Sequence, residues 1–435
     1  MAITPVVKSS FRKQSYFNYE PLDQLHDSFR IIKLLPGPLS APIECILTNE
    51  RISSMEYKYD AVSYTWGKPA TPRWIRLNQV PYMVQPNLLE AFRGIRSESE
   101  ELLVWADVIC INQTDITERN HQVGLMGNIH SKAKRVRMWL GPAADDSDFV
   151  LDYIQREVNN FRREKVGEKT DPVSDKEKEA FIKAFSVFHR RPYWDRAWIK
   201  HEVSLANDLV VHCGTKAADG LRLLVLAVWH HQMDGGFSDQ LPNIDLHRIN
   251  RVDHGREEPF ELVFQRFWRS SCTDPRDRIF SILSLAADTQ GIEHRPADYS
   301  LDLPALFFAI IAPVEPRDLL SFTTTLHEAL GVHRSQLVEY WEKVGAPDGH
   351  RLRTTTTKAM KNAAVAYVCS LKAIKKKFES MTSRDWLTQL KPQEREIMIN
   401  NITEEDSDSS DGQSTKHLVR SWLELEVEMK DPILV

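Results

Sequence analysis

The chain has 435 residues, of which 42% are hydrophobic, 27% charged and 9% aromatic. This composition is typical of soluble globular proteins and excludes collagen-like, wholly disordered and disulfide-scaffold classes. The length predicts two or three domains. Because the formal net charge is -5, no overall positive charge favours nucleic acid, and we expect no nucleic-acid partner.

Several common sites are missing from the sequence. The five cysteines lie far apart without a CxxC pair, and neither GxGxxG nor GxxxxGK[ST] occurs, so no disulfide framework, zinc ribbon or phosphate loop is predicted. His201-Glu202 begins like the HExxH zinc helix, but Leu205 stands where the second ligand is required. We therefore expect no metal and no cofactor. With no long apolar run and no signal-peptide core, we also expect a cytoplasmic protein without a membrane span.

The predicted elements begin with a polar leader over residues 1–56 that carries one or two strands, such as Phe29–Leu35. Residues 57–215 alternate short apolar runs with amphipathic stretches, which indicates an α/β domain with a mainly parallel sheet flanked by helices. Strands are predicted over 59–64, 102–111, 136–140 and 209–213, and helices near residues 87 and 117 and over 193–207. Asn87 and Glu90 have the spacing of a capping box, so Asn87 is interpreted as the cap of its helix.

The remaining segments differ in composition from this domain. Residues 143–180 are highly charged and are predicted as an exposed insertion. Residues 216–400 are predicted to be mainly helical, with a strong helix start at Asp274-Pro275. Residues 401–435 combine an acidic, serine-rich stretch, for which we expect disorder, with an amphipathic tail.

Glu202 is the charged residue with the least expected position. At about 100° per residue, it falls in the middle of an apolar helical arc, while its polar neighbours fall on the opposite arc. A carboxylate that faces inward loses hydration worth several kcal/mol unless it is paired or borders a cavity. Two interpretations follow: a structural ion pair or hydrogen bond in the core, or an active-site acid near the carboxyl ends of the strands, where open α/β sheets bind ligands.

The other candidates lie at the ends of predicted strands, and each also has a structural interpretation. Asp107 ends the second strand and can instead cap the following turn, and Asn112 can simply close a loop. The aromatic residues that end the first strand can line a pocket or pack as a corner. These first-strand candidates are Ser63, Tyr64, Trp66 and Gly67. His130 lies on an apolar helix face and is interpreted as a core histidine.

Five motifs follow one another along the predicted α/β region. They are Ala61–Gly67, Leu103–Gln113, Glu118–Met126, Val136–Gly141 and Arg191–Val203. Together they resemble the fungal heterokaryon incompatibility (HET) domain over residues 57–215, and Thr273–Phe280 resembles the helix that commonly follows that domain. The resemblance implies a role in fungal non-self recognition that ends in regulated cell death. His130, His201 and Ser284 depart from the family pattern, but no departure removes an acid.

A more distant similarity suggests a reaction. The order of elements and the W-x-x-x-E spacing from Trp198 to Glu202 resemble the Toll/interleukin-1 receptor (TIR) domain, which implies a flavodoxin-like fold. By this resemblance Glu202 matches the catalytic acid of NAD-cleaving TIR domains, with NAD as substrate rather than cofactor. The implied substrate-binding residues are Ser63, Tyr64, Trp66, Gly67, Asp107, Asn112 and Trp198.

Two non-enzymatic alternatives stay open. Many TIR-like domains act by assembling or by binding an adaptor, so the chain can be a signalling module that works through self-association or a partner signalling protein. It can also be a sensor scaffold whose HET domain is degenerate.

Overall fold

The computed structural model describes residues 17–67, 70–170, 173–234, 244, 247–248, 258–286, 297–311, 319–333, 336–337 and 340. The predicted acidic segment and tail at 401–435 lie outside these residues, as do much of 216–400 and the first part of the predicted leader. The chain divides into two compact units, one of residues 1–195 and 202–246 and the other of residues 196–201 and 247–435.

The first unit is built on one β-sheet, which has nine strands within the described residues. They are β1 (Ser28–Leu34), β2 (Glu44–Arg51), β3 (Asp60–Tyr64), β4 (Arg73–Leu77), β5 (Val80–Val84), β6 (Leu102–Trp105), β7 (Arg135–Trp139), β8 (Leu209–Cys213) and β9 (Lys216–Asp219). Their order across the sheet is β5-β4-β2-β1-β6-β3-β7-β8-β9.

The sheet is mixed. Its centre, β6-β3-β7-β8, is parallel throughout, and β2 pairs with β4 in the same way. The pairs β1–β2, β1–β6, β4–β5 and β8–β9 are antiparallel. The α/β class is therefore confirmed, but the predicted predominance of parallel pairing is not seen, because four of the eight strand pairs are antiparallel.

The predicted leader contributes to the middle of this sheet. β1 lies between β2 and β6, and almost all of its side chains are buried. Arg30 in β1 is buried with Glu118, with Arg30 Nη1 2.6 Å from Glu118 Oε1 and Nη2 2.8 Å from Oε2. The fold of the first unit thus begins before residue 57.

Helices cover the sheet or extend from it in the first unit. They are α1 (Ile52–Met55), α2 (Pro86–Ile95), α3 (Asp107–Cys110), α4 (Ile116–Lys132), α5 (Ser147–Lys165), α6 (Asp175–Phe188) and α8 (Gly220–Asp234), while α7 (Ile199–Ser204) follows a 3-10 turn at Pro192–Asp195. Asp115 caps α4 by accepting from the amides of Thr117 and Glu118, which confirms the predicted helix start.

Three predicted elements differ from the structure. The strand predicted over 102–111 ends at Trp105, because Asp107 accepts from the Val108 amide at 2.8 Å and begins α3. The helix predicted over 193–207 is divided into the 3-10 turn and the short α7. The cap of α2 is Gln85 rather than Asn87, whose side chain bonds elsewhere.

The predicted charged insertion forms the two amphipathic helices α5 and α6. Their inner faces meet through stacked rings, with the centroids of Tyr153 and Phe181 4.0 Å apart. Arg156 on α5 and Glu177 on α6 form an outer ion pair at 2.6 Å. The charged residues that suggested an exposed insertion therefore lie mostly on one side of a packed helical pair.

The second unit is helical where the structure describes it. Its helices are α9 (Phe260–Phe267), α10 (Asp277–Phe280), α11 (Leu303–Ile311) and α12 (Leu319–Leu330), with a 3-10 turn at Leu283–Leu285. Arg278 joins two of them, since it donates to the carbonyls of Ser270 and Ala329. The helix predicted to start at Asp274 begins at Asp277, while Asp274 accepts from the Arg276 amide in the preceding turn.

Candidate functional site

Three of the predicted site residues meet at the carboxyl ends of the central strands. The carboxylate of Asp107 accepts from the Tyr64 hydroxyl at 3.0 Å and from the Trp66 indole N–H at 2.9 Å. Tyr64 ends β3, and Asp107 follows β6. Because β3 and β6 are parallel neighbours, their carboxyl ends lie at the same edge of the sheet.

The Asp107 carboxylate holds the two aromatic rings in place. Its Oδ1 accepts from Tyr64 and from the Val108 amide, and its Oδ2 accepts from Trp66. Hydrogen bonds to an ionised carboxylate are among the stronger ones in proteins. Tyr64 is buried, whereas Trp66 is 45% exposed, so the group presents one oriented indole to the solvent.

Gly67 follows the exposed indole and turns the chain. Its φ is +80°, in the left-handed region that side chains other than glycine rarely adopt. The predicted residue Gly67 therefore lies beside Trp66, and its part in the site is conformational.

Ser63 lies apart from this cluster. Side chains alternate along a strand, so Ser63 points to the face of the sheet opposite to Tyr64. Its Oγ is 2.6 Å from the hydroxyl of Tyr193, and both residues are buried. This hydrogen bond joins the strand to the turn at residues 192–195 within the core.

Asn112 closes the loop before α4. Its side-chain oxygen accepts from the Thr114 amide at 3.2 Å and from the Thr114 hydroxyl at 2.7 Å. The backbone amide of Asn112 donates to Glu118 Oε1 at 2.7 Å. This is the turn-forming arrangement expected of asparagine. The loop-closing interpretation of Asn112 is thereby confirmed.

Trp198 belongs to the second unit. Its side chain donates to the carboxyl group of Asp277, which also accepts from the Tyr299 hydroxyl at 2.6 Å. Burial raises the pKa of Asp277 above its usual range, although both hydrogen bonds act in the opposite direction. The ring of Trp198 also packs edge-on against His201, with the ring centroids 5.3 Å apart.

Glu202 is 4% exposed, as the sequence predicted. The polar arc of α7 is not exposed, however, because Lys200, His201 and Ser204 are also buried. The expected contrast between an apolar and a solvated face is therefore wrong. Burial of Glu202 follows from the burial of the whole helix and does not by itself distinguish this carboxylate.

Two residues that flank Glu202 in the sequence, Arg191 and Asn207, are anchored at opposite edges of the sheet. At the carboxyl edge, Arg191 donates to the carbonyls of Leu140 and Pro142, which follow β7. At the amino edge, Asn207 donates to the carbonyl of Ala133, which precedes β7. Glu202 lies between these two anchors along the chain, and closer in sequence to Asn207.

His130 is a core residue, as predicted. It is buried, its Nδ1 is 2.8 Å from the carbonyl oxygen of Met126, and its ring packs edge-on against Trp105. Burial lowers the pKa of His130 to about 4. His212 in β8 is similar, since burial and the nearby Arg137 lower its pKa to about 3.

Within the ranges that the structure describes, no group of three or more His, Cys, Asp or Glu side chains is arranged to hold a metal ion. No helix in the same part of the chain is long and apolar enough to cross a membrane.

Comparison with known families matches residues 59–202 to the family described as Heterokaryon incompatibility protein (HET). Residues 59–202 form a HET domain. The Tyr64–Trp66–Asp107 cluster and Glu118 lie inside this domain, and Glu202 is its last matched residue. Arg30, which pairs with Glu118, lies outside the match, and residues 196–201 inside the match belong to the second compact unit.

A curated relative extends the similarity beyond the HET domain. The chain is 25% identical over 305 residues to the Heterokaryon incompatibility protein 6, OR allele, of Neurospora crassa. The matched region covers 56% of this chain and 45% of the relative. The chain thus spans less than half the length of that protein. No solved structure matches the chain.

Sequence reasoning missed several residues that build this site. Asn87 was interpreted as a helix cap, although its side chain bonds the Trp66 loop and Trp139. Arg30 and Tyr193 carried no recognisable signal, because their partners are distant in the sequence. For Ser63 and Tyr64, the alternation of side chains along a strand is the signal that could have shown that the two side chains point to opposite faces of the sheet.

Proposed function

We propose that the chain acts in fungal non-self recognition and that its HET domain triggers regulated cell death. The observation that carries this proposal is the HET match over residues 59–202. The similarity to a protein named for heterokaryon incompatibility supports it, as does the ordered cluster of Tyr64, Trp66 and Asp107 inside the matched region.

The finer proposal is that the HET domain cleaves NAD between nicotinamide and ribose. Glu202 supplies the carboxylate, at the end of the W-x-x-x-E spacing that resembles TIR domains. Burial does not single out Glu202 among the residues of α7, but it suits this role, because a carboxylate in a low-dielectric site stabilises developing positive charge more strongly than one in water.

The reaction itself demands little of the protein. The C–N bond breaks with its electron pair leaving on nicotinamide, which departs as a neutral base without protonation. Glu202 would stabilise the oxocarbenium character at the ribose, water would add to the anomeric carbon, and one proton would pass to solvent. One carboxylate is sufficient for this sequence of events.

The predicted binding residues take different parts in this proposal. Trp66 is the ring that a flat ligand would contact, and Tyr64 and Asp107 position it. Gly67 shapes the loop, and Asn112 closes the turn before α4. Ser63 is in a hydrogen bond with Tyr193, so its proposed contribution is to support β3 from within the core. Trp198 bonds Asp277 within the second unit, and its proposed role in binding rests on the W-x-x-x-E resemblance alone.

A second candidate function is a non-catalytic signalling module that acts by self-association or by binding a partner protein. An exposed apolar face favours it. Trp74 and Met83 oppose each other on β4 and β5 and are 52% and 55% exposed. With Pro42, Ile75, Arg76 and Pro81, Trp74 lines a hollow of about 480 Å³ at this end of the sheet. Exposed aromatic groups of this kind are common at protein interfaces.

Inducible expression in a filamentous fungus tests the proposed role. The full chain should stop growth and kill cells, and cellular NAD should fall before membrane integrity is lost. Glu202→Gln should abolish both effects at equal protein level. Glu261 is also a buried glutamate, but it lies in the second unit. Glu261→Gln is therefore the matched control and should act like wild type. Cell death without NAD loss, retained by Glu202→Gln, would favour the second candidate.

A further inference from the structure

Asn87 connects the loop that carries Trp66 to the body of the domain. From the first turn of α2, its side-chain Nδ2 donates to the carbonyl of Thr65 at 2.5 Å and to the Thr65 hydroxyl at 2.9 Å. Its Oδ1 accepts from the indole N–H of Trp139 at 2.9 Å. One carboxamide therefore binds the residue next to Trp66 and the last residue of β7.

α2 holds the Trp139 indole at a second point. An added Cβ at Gly94 would lie 2.6 Å from Cζ3 of Trp139, so the helix leaves space for this ring only because residue 94 is glycine. Asn87 and Gly94 are about two helical turns apart and lie on the same side of α2. Trp139 also pairs directly with Tyr64 across β7 and β3.

We propose that Asn87 is a positioning residue of the candidate site. It fixes the Thr65–Gly67 loop against Trp139, while Asp107 fixes the Trp66 indole from the other side. Asp107 contacts the edge of the indole and Asn87 contacts Thr65, while the Trp66 side chain remains 45% exposed. The geometry thus presents a pre-oriented stacking surface for a flat heteroaromatic ring.

This inference rests on the proposed function, because in NAD the flat ring would be nicotinamide or adenine. Stacking of a ring on an indole depends on orientation, and a preorganised surface loses less conformational entropy on binding. Release of the loop should therefore weaken the binding of NAD without changing the groups that act on the ribose.

Asn87→Asp tests the inference in the full chain. The substitution keeps the size of the side chain and the acceptor for Trp139, but it removes both donors to Thr65. Asn207→Asp is the matched control. Asn207 likewise donates through its Nδ2 to two carbonyls, those of Ser131 and Ala133, at the opposite edge of the sheet.

Hydrogen exchange measured by mass spectrometry provides a readout that does not depend on activity. Exchange in the peptide that contains residues 63–67 should become about tenfold faster in Asn87→Asp, because the hydrogen bonds that hold Thr65 are lost, and should stay unchanged in Asn207→Asp. The KM for NAD should rise about tenfold in Asn87→Asp with kcat within about twofold, since uniform binding is lost.

The outcomes separate this inference from the proposed function. Unchanged exchange at 63–67, or equal acceleration in both variants, would overturn the positioning role of Asn87. Faster exchange with an unchanged KM would overturn the stacking role of the Trp66 loop. If wild type neither binds nor cleaves NAD, the NAD proposal fails, and the exchange comparison still decides whether Asn87 holds the loop.

Discussion

Arg30 and Glu118 form a buried, two-pronged ion pair that joins β1 to the first turn of α4. The guanidinium also donates to the carbonyls of Cys110 and Glu20, so its donors are largely satisfied inside the protein. A buried charge of this kind needs its partner. The pair ties a segment outside the HET match to an acid inside it.

Removal of one partner should strongly destabilise the first unit. Glu118→Gln keeps the shape but leaves the Arg30 charge buried, and we expect a loss of about 3–5 kcal/mol in the free energy of unfolding. Chemical denaturation measures this change. Glu90→Gln is the control, because Glu90 pairs with Arg93 at the surface and should cost less than about 1 kcal/mol. Equal effects of the two substitutions would contradict the role assigned to the buried pair.

Removal of the predicted leader should have a larger effect. A chain that begins at residue 57 lacks β1 and β2, so β6 would lose one of its two neighbours and Glu118 would lose its partner. We expect this shortened chain to lack a cooperative unfolding transition. A chain that begins at Phe17 should retain the transition of the full protein, and circular dichroism on heating compares them. Cooperative unfolding of the chain from residue 57 would show that the HET match folds without β1.

Asp107→Asn should loosen the aromatic cluster without disturbing the core. The amide cannot accept at both positions, so one of the donors from Tyr64 and Trp66 loses its partner, at a cost of about 1–3 kcal/mol. The indole of Trp66 should then become more accessible to acrylamide. Comparison with the same substitution in a Trp66→Phe background isolates the signal of this one tryptophan among the 11 in the chain. If Asp107→Asn changed acrylamide quenching by the same amount in the wild-type background and in the Trp66→Phe background, Asp107 would be excluded as the group that orients Trp66.

Buried neutral histidines should make the fold sensitive to acid. The pKa of His130 is lowered to about 4, so between about pH 6.5 and 4 the unfolded chain binds a proton that the folded chain does not. Stability therefore falls as pH decreases through this window, by about 3 kcal/mol for His130. His130→Phe should flatten this dependence in denaturation curves. An unchanged slope in His130→Phe would mean that another group controls the acid response.

Gly94→Ala should destabilise the protein, contrary to the usual effect in helices. Alanine normally stabilises a helix interior relative to glycine by about 1 kcal/mol. At residue 94 the new methyl group would overlap Trp139, and overpacking of this kind costs about 1–3 kcal/mol. Gly124→Ala, at an exposed position in α4, should raise the melting temperature. A rise in both variants would contradict the close packing of α2 on Trp139.

The central parallel strands were predictable because their signals are local. The strands predicted over 59–64, 136–140 and 209–213 match β3, β7 and β8 closely, because buried parallel strands are rich in apolar residues, although Arg135 and Arg137 interrupt this pattern in β7. The antiparallel part of the sheet was not predicted. β1 and β2 were interpreted as a leader, because nothing in their sequence indicates that β1 pairs with β6.

The candidate site was predicted in part for the same reason. Tyr64, Trp66 and Asp107 lie at strand ends, and parallel strands bring such ends together. The positioning role of Asn87 depends on a hydrogen bond with Trp139 that no local sequence pattern predicts. For Glu202, helical periodicity predicted burial correctly but gave a wrong account of its neighbours, because α7 is too short to expose a polar face.

Release of nicotinamide by the purified full chain tests the central claim most directly. We expect wild type to convert NAD to nicotinamide and ADP-ribose, Glu202→Gln to lose at least about 100-fold in kcat because one essential charge is gone, and Glu261→Gln to match wild type, with melting curves used to verify that all three are folded at the assay temperature. Turnover of NAD by Glu202→Gln at the wild-type rate would contradict the account.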